Sequence, residues 1–293
     1  MSRPHKKHHK IPATYLQAFS QQEKLWVADE NFKLYQQTPQ GILSEKDFYT
    51  IKYPDGGGTL AVEKKVLGKI ETSYSHVFRT KLSKKEQLSA SERYILAVFI
   101  SSMFERVSAR RDATRQFLDD VERKAKAMSN LTDEQKKAWA AMPSSQSGEG
   151  IPVSELLKIK DDMATFHSSS LPRNVLHITN ALLKMHWVFM IAAGKDSFYI
   201  TSDNPCVWTC PETLRMYCGL VAGDIEITLP LSPVLCVMCG WRFDYDGVYV
   251  PVPEKYVQEI NRRTMRQSRS LVSSNKDYLA KQIERIKARL EQS

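Results

Sequence analysis

The chain has 293 residues, of which 42% are hydrophobic and 10% aromatic, and its formal net charge is +9. This is enough apolar material for a sizeable core, so disorder is not expected. No stretch reaches the about 18 consecutive apolar residues of a membrane-spanning helix, and the charged N-terminus is not followed by the apolar segment of a signal peptide. We therefore expect no membrane association, and the positive charge favours nucleic acid or nucleotides as partners.

The N-terminal stretch "HKKHHKIPATYLQAF" predicts a flexible basic arm over residues 1–7, followed by a docked element. Ile11, Tyr15, Leu16 and Phe19 recur at helical spacing, and proline is tolerated in a first helical turn. The next stretch, "KLWVADENFKLYQQ", predicts a β-hairpin, and a helix is expected from near residue 59 to about residue 80.

The segment from "SERYILAVFISS" to "ERKAKAM" contains no proline or glycine and predicts one long helix capped by Ser91. Its first half is apolar almost all round, which is typical of a central buried helix. Residues 142–152, within "AMPSSQSGEGIP", read as a flexible linker or loop. Because helical patterns flank this stretch on both sides, we treat residues 1–293 as a single domain.

The second half of the chain is rich in strand patterns. "HWVFMIAAGKDSFYITSD" predicts two strands joined at residues 193–196, "DIEITLPLSPVLCVMCGWRF" predicts two more, and "DGVYV" another. Helices are expected over about 254–271 and 276–290. The order predicts an α+β fold, with a helix-rich N-terminal half around a long central helix, an antiparallel β-meander and C-terminal helices.

The N-terminal histidines are interrupted, unlike a purification tag, and they continue into an apolar pattern. His8 and His9 are adjacent, so their side chains point in different directions on a helix or strand. "HHKIP" is similar to the first-strand motif of His-Asn-His nucleases, but the second histidine of that motif is missing, since the next one is His76 in a predicted helix.

All five cysteines fall between Cys206 and Cys239. An odd number confined to one segment argues against a secreted disulfide scaffold, so a cytoplasmic location is expected. The Cys236-x2-Cys239-Gly pattern is compatible with a zinc knuckle. However, residues three apart on a strand face opposite sides, so buried free cysteines are expected rather than structural zinc.

The most informative polar string is "FYITSDNPCVW", where an apolar strand ends in Ser202, Asp203 and Asn204. Aspartate and asparagine before proline are good turn residues, which is one interpretation. The other is that the strand end presents a carboxylate, an amide and hydroxyls that can hold a divalent metal, a phosphate-bound water or a sugar hydroxyl.

Two groups of arginines are candidates for anion binding. Arg106 and Arg110 lie in an otherwise apolar helix, where an arginine either pairs with a buried acid or faces a cleft and binds carboxylate or phosphate. Asn261 lies beside a predicted stripe of arginines on one helix face, which is either a phosphate-contacting surface or a solvated face. The stripe comprises Arg262, Arg266 and Arg269.

An ordered set of strings runs through nearly the whole chain. These are His8-His9-Lys10-Ile11-Pro12, Tyr15-Leu16-Gln17-Ala18-Phe19, Leu25-Trp26-Val27, Arg106, Thr201-Ser202-Asp203-Asn204-Pro205 and Pro230-Leu231-Ser232-Pro233. Over residues 7–271 the set resembles the prokaryotic family catalogued as domain of unknown function 4238. Ala13-Thr14 departs from the Gln-Phe that such proteins often carry. The family brings no established activity, but the resemblance implies one unit in which the N-terminal histidines and the Ser-Asp-Asn-Pro turn belong to the same fold.

The leading hypothesis is a nuclease-like hydrolase acting on a phosphate-containing substrate, with nucleic acid as the expected class. In it His8 or His9 is the general acid or base, Asp203 orients a water or a metal, and Arg106 stabilises developing negative charge. The substrate is oriented by further polar residues, namely Ser202, Asn204, Asn261, Arg110, Arg262 and Arg266. The alternatives are a non-catalytic nucleic-acid-binding protein and a structural or sensor module of a prokaryotic defence system.

Overall fold

The computed structural model describes residues 7–46, 48–49, 51–52, 58–59, 62–140, 152–210 and 219–290, and it has the expected α+β architecture. The first half contains β1 (Lys7–His9), α1 (Ala13–Leu16), β2 (Leu25–Ala28), β3 (Leu34–Gln37), β4 (Ser44–Lys46), β5 (Ile51–Lys52), β6 (Gly58–Thr59), α2 (Gly68–Thr80), α3 (Ala90–Glu105), α4 (Ser108–Ser129), α5 (Asp133–Ala140), α6 (Val153–Asp161) and α7 (Met163–Leu182). The second half contains β7 (His186–Ala192), β8 (Thr201–Ser202), β9 (Val207–Thr209), β10 (Glu226–Ser232), β11 (Leu235–Gly240), β12 (Val248–Val252), α8 (Glu254–Arg266), β13 (Leu271–Ser273) and α9 (Lys276–Leu290).

The short helix α1, the β2–β3 hairpin and a helix ending at Thr80 are confirmed, but the last of these begins later than residue 59, since Thr59 lies in β6 and a π-helix over Val62–Leu67 precedes α2. Residues 1–6 of the predicted arm and 142–151 of the predicted linker lie outside the described residues, and Lys7 is already part of β1. Within the described parts of the chain, no helix has both the length and the apolar composition needed to cross a bilayer.

A five-stranded sheet in the order β12-β7-β11-β10-β9 forms the centre of the fold. The β10–β11 hairpin is antiparallel as predicted, whereas β12 pairs with β7 in parallel, so the expected all-antiparallel meander is wrong at this edge. One face of the sheet packs against α1, α2 and α3, and α8 covers the other face.

The central strand β11 shows why its cysteines are buried. Leu235, Val237 and Cys239 point into the larger core, whereas Cys236 points into the core beneath α8. Both faces of the sheet are covered, so Cys236 and Cys239 are fully buried on opposite sides of it. Both thiols are free. Cys206 is likewise free and buried, while Cys210 is disulfide-bonded, which differs from the expectation of free cysteines throughout.

A second, four-stranded sheet in the order β3-β2-β13-β8 is covered by α9. The strand predicted after β7 is present only as the two-residue β8, which belongs to this second sheet and not to the sheet of β7. The preceding segment is held by α8 instead, since the Asn261 side chain accepts from the Ile200 N–H (3.0 Å) and donates to the Phe198 carbonyl (2.8 Å).

The helix expected over residues 254–271 is also shorter than predicted. It ends at Arg266, and Leu271 pairs instead with Ala28 and Ser202 in the second sheet. The change occurs because the backbone N–H groups of Arg269 and Ser270 bind the Asp203 carboxylate and not helical carbonyls.

The predicted single long helix is in fact two helices, α3 and α4. Ser89, not Ser91, caps α3 through a capping box with Glu92. Between the helices Val107 is extended, and the Arg106 carbonyl accepts from the Tyr49 hydroxyl (3.0 Å). This tertiary hydrogen bond replaces a helical one, which places the break at Arg106.

Candidate functional site

The N-terminal segment docks on the ends of strands from the second half of the chain. Its four apolar anchors are fully buried, namely Ile11, Tyr15, Leu16 and Phe19. The Tyr15 hydroxyl donates to the Pro230 carbonyl (2.6 Å), so its single proton is used there and it accepts from the Thr201 hydroxyl (2.8 Å). One phenol thus joins three of the strings that carry the family resemblance.

A closed polar cluster forms beside this docked segment, and we call it the Arg106 network (Arg106, Glu71, Tyr49 and the His9 carbonyl). The Arg106 guanidinium donates to Glu71 Oε1 (2.8 Å), to the His9 carbonyl (2.7 Å) and to the Tyr49 hydroxyl (3.3 Å). Arg106 is only 1% exposed, which fits the buried-pairing interpretation. Burial by itself lowers the pKa of Arg106, but Tyr49 and Glu71 outweigh it and the pKa is raised.

The two histidines have different environments. His8 is fully buried in β1, where its ring stacks on Tyr49 and its Nδ1 accepts from the Tyr49 N–H (2.9 Å). His9 is partly exposed, and its Nε2 donates to the Gln40 carbonyl (3.1 Å). In the described part of the chain, the hydrogen bonds of Asp203 go to backbone groups and not to either imidazole.

Asp203 follows β8 and fastens its turn to residues 267–270. Its Oδ1 accepts from the backbone N–H groups of Arg269 (3.0 Å) and Ser270 (3.1 Å). Burial raises the pKa of the Asp203 carboxyl, and these N–H groups with the Lys10 charge oppose the rise without cancelling it. The carboxyl therefore retains a proton to higher pH than a free aspartate.

The neighbours of Asp203 complete the same turn. The Ser202 hydroxyl accepts from the Asn204 N–H (3.0 Å) and is hydrogen-bonded to the Ser268 hydroxyl (2.7 Å), whose own proton goes to the Thr264 carbonyl (2.6 Å). The Asn204 amide donates to the Gln267 carbonyl (2.9 Å). The turn interpretation thus accounts for the described contacts of Ser202 and Asn204. Of the three residues Ser202, Asp203 and Asn204, only Asp203 is partly exposed.

Lys10 brings a cation to this carboxylate. Its ammonium donates to the Ser108 hydroxyl (3.0 Å) at the start of α4 and to Glu45 (3.4 Å). On the other side Arg269 is exposed and pairs with Asp112 (3.0 Å). We call Lys10, Ser108, Asp203 and Arg269 the polar junction, because they come from the N-terminal segment, α4, the β8 turn and the segment after α8.

Arg110 lies in the first turn of α4, above an aromatic stack. Its guanidinium is 5.0 Å from the Phe104 ring centroid, and Phe104 stacks on Trp208 with ring centroids 3.7 Å apart. The Arg110 Nε donates to the buried Glu105 (3.1 Å), yet 42% of its side chain is exposed. Such a guanidinium plane can bind an anion or stack on a base.

The C-terminal candidates separate into buried and exposed groups. Asn261 is fully buried, with its amide bonded to the backbone of 198–200 and to Tyr278. Arg262 makes two hydrogen bonds with Glu259 (both 2.7 Å), whereas Arg266 is exposed. The expected single-face stripe is wrong for Arg269, because α8 ends at Arg266 and Arg269 pairs with α4 instead.

Lys10, Ser108, Tyr49 and Glu71 were not among the sequence candidates. Lys10 lies within the family-like "HHKIP" string, which was a usable signal. Nothing in the sequence distinguishes Tyr49 or Glu71 from other residues of their type. Within the described residues, no three histidine, cysteine, aspartate or glutamate side chains are grouped so as to hold a metal ion.

The fold and the site together define the class of this protein: it is an α+β protein with a polar junction at the ends of its strands. The chain matches the family described as "Protein of unknown function (DUF4238)" over residues 7–278, so it belongs to that family. No curated protein and no solved structure matches the chain.

Proposed function

We propose that the polar junction binds a phosphate-containing substrate, with nucleic acid as its class, and that the protein hydrolyses it. The observation that carries the proposal is the partly exposed Asp203 carboxyl, whose pKa is raised by burial and is sensitive to the charge of Lys10. A carboxyl with a raised pKa is suited to proton transfer, and neighbouring cations stabilise negative charge on a phosphate.

Each junction residue has a role in this proposal. Both backbone N–H groups bind Asp203 Oδ1, which fixes the carboxylate and, in the described contacts, leaves Oδ2 for a water molecule. Lys10 and Arg269 bind phosphate oxygens, and Arg110 stacks on a base or holds a neighbouring phosphate. Asp203 rather than a histidine moves the proton, because His8 is inside the core and the His9 imidazole is bonded to Gln40.

Binding is tested by fluorescence anisotropy with labelled 12-nucleotide single-stranded RNA and DNA. The double variant Lys10→Ala/Arg269→Ala should weaken binding at least about tenfold. It should also reduce the slope of log affinity against log salt by about 1.4, since each phosphate contact on a single strand contributes about 0.7. The matched control is Arg285→Ala on α9, an exposed arginine without described contacts to the junction, and it should bind as the wild type does.

Hydrolysis is tested with Asp203→Asn on the same labelled strands. Asparagine keeps the oxygen that accepts from residues 269 and 270, so the melting temperature should hold. Cleavage should fall by about 100-fold or more, which is the usual contribution of a general acid or base. Wild-type protein that neither binds nor cleaves either strand at 50 mM salt contradicts the proposal.

A second candidate is binding without catalysis. It is favoured by Arg110, whose exposed guanidinium above the Phe104–Trp208 stack needs no chemistry to hold a nucleotide. In that case wild-type protein binds the strands without cleaving them, and Asp203→Asn leaves the affinity unchanged or higher because a negative charge is removed.

A further inference from the structure

A cavity of about 550 Å³ lies between α1 and α2, and it shares no residue with the polar junction. Its walls include the aromatic Phe78, and it is also lined by two exposed residues, Thr14 of α1 and Gln17, which directly follows α1. A volume in the range of roughly 300–1,000 Å³ and a mainly apolar wall with a few polar groups are typical of small-molecule sites.

Two residues of the wall, Tyr74 and Ser75, carry buried hydroxyl groups. Tyr74 is 1% exposed, and its ring stacks on Phe99 with centroids 3.5 Å apart. Among the described residues, neither the Tyr74 hydroxyl nor the Ser75 hydroxyl has a hydrogen-bond partner. Both oxygens are out of reach of solvent, so Tyr74 and Ser75 close the wall of the cavity rather than present polar atoms to it. Burial also raises the pKa of Tyr74, which keeps its phenol a proton donor at neutral pH.

A cation lines the same cavity. Arg79 is exposed, and its Nε donates to the Ser75 carbonyl (3.3 Å). In the described part of the chain it forms no ion pair, so its two terminal nitrogens can bind a carboxylate, sulfonate or phosphate. The cavity thus combines an apolar wall with an arginine.

We propose that this cavity binds a small organic anion with an apolar body. The apolar wall contacts the body of the ligand, and Arg79 pairs with its anionic group. This binding site is independent of the proposed hydrolysis at the polar junction, because no residue is common to both.

The experiment compares two probes by isothermal titration calorimetry with the full chain. The probes are 2-naphthoate and its neutral counterpart 2-naphthalenemethanol. Wild-type protein should bind one naphthoate per chain, and the alcohol more weakly. Arg79→Gln should weaken naphthoate by about tenfold and leave the alcohol within about twofold, because only the anion uses the guanidinium. Arg285→Gln is the matched control and should bind as the wild type does.

Two further variants separate binding from folding. Tyr74→Phe removes a buried hydroxyl that makes no described hydrogen bond, so the unliganded melting temperature should stay constant or rise and both probes should bind as they do to the wild type. Thr14→Trp, at an exposed position, should block both probes, with Gln17→Trp as the substitute if it misfolds. The proposal is overturned if wild-type protein binds neither probe at millimolar concentration, or if binding survives both tryptophan variants.

Discussion

The Arg106 network and the polar junction are joined through consecutive residues, yet they are built differently. His9 contributes its carbonyl to the first, and Lys10 contributes its ammonium to the second. In the Arg106 network each guanidinium nitrogen has a partner and Arg106 is buried. In the polar junction Lys10, Asp203 and Arg269 keep partial or full exposure. The difference indicates that the Arg106 network stabilises the fold. The polar junction keeps exposed charged groups, which the proposed ligand would contact.

The largest expected effect is that of Arg106→Ala. It leaves Glu71, the Tyr49 hydroxyl and the His9 carbonyl without their common donor, and breaking a buried ion pair costs about 3–5 kcal/mol. Urea denaturation should show this loss in the free energy of unfolding. Arg269→Ala is the comparison in the polar junction. A loss below about 1 kcal/mol for Arg106→Ala would show that the network does not hold the fold.

The next effect concerns His167. Its ring contacts the Phe48 ring edge-on, and Phe48 directly precedes Tyr49 of the Arg106 network. Burial, with Arg111 and Arg110 nearby, lowers the pKa of His167 to about 3. The folded state therefore binds this proton less readily than the unfolded state, whose histidine has a pKa of about 6.5. The His167 contribution is fully present above about pH 6.5 and is lost as pH falls toward 3.

By pH 4.5 the loss should reach about 2–3 kcal/mol relative to a non-titrating variant. Comparing the pH dependence of unfolding for wild type and His167→Phe measures it. Parallel curves for the two proteins between pH 6.5 and 4.5 would refute the assignment.

A smaller effect separates the two possible roles of Asp203. Asp203→Ala removes the acceptor for two backbone N–H groups and should cost about 1–3 kcal/mol, whereas Asp203→Asn keeps that acceptor and should cost less than about 0.5 kcal/mol. Because the folded pKa of Asp203 is raised, the wild type should lose stability relative to Asp203→Asn as pH rises above about 3.9 through the folded pKa. If the wild type instead becomes more stable relative to Asp203→Asn over that pH range, the folded pKa of Asp203 is lowered and the assignment is wrong.

The smallest expected effect on stability is that of Arg269→Ala. Its ion pair with Asp112 is on the surface, with the arginine side chain 69% exposed, so about 0–1 kcal/mol is at stake. Thermal melting should barely change, while affinity for the labelled RNA strand should fall. A large stability loss without a loss of affinity would place Arg269 with the structural residues.

The sequence by itself determined the family, the α+β class and most elements with a strong local pattern. The β2–β3 and β10–β11 hairpins and the anchors of the N-terminal segment followed from apolar periodicity, because the period reports which face of an element is buried. The string around Asp203 indicates a strand end that carries polar groups.

Only the tertiary structure decided where helices end and which polar groups meet. The break at Arg106 depends on the Tyr49 hydroxyl, 57 residues away, and the end of α8 depends on Asp203 binding the N–H groups of residues 269 and 270. Local pattern carries no record of such partners, because a hydrogen bond to a distant residue leaves no periodicity. For the same reason Lys10, beside two conspicuous histidines, became a candidate only when the fold placed its charge near Asp203.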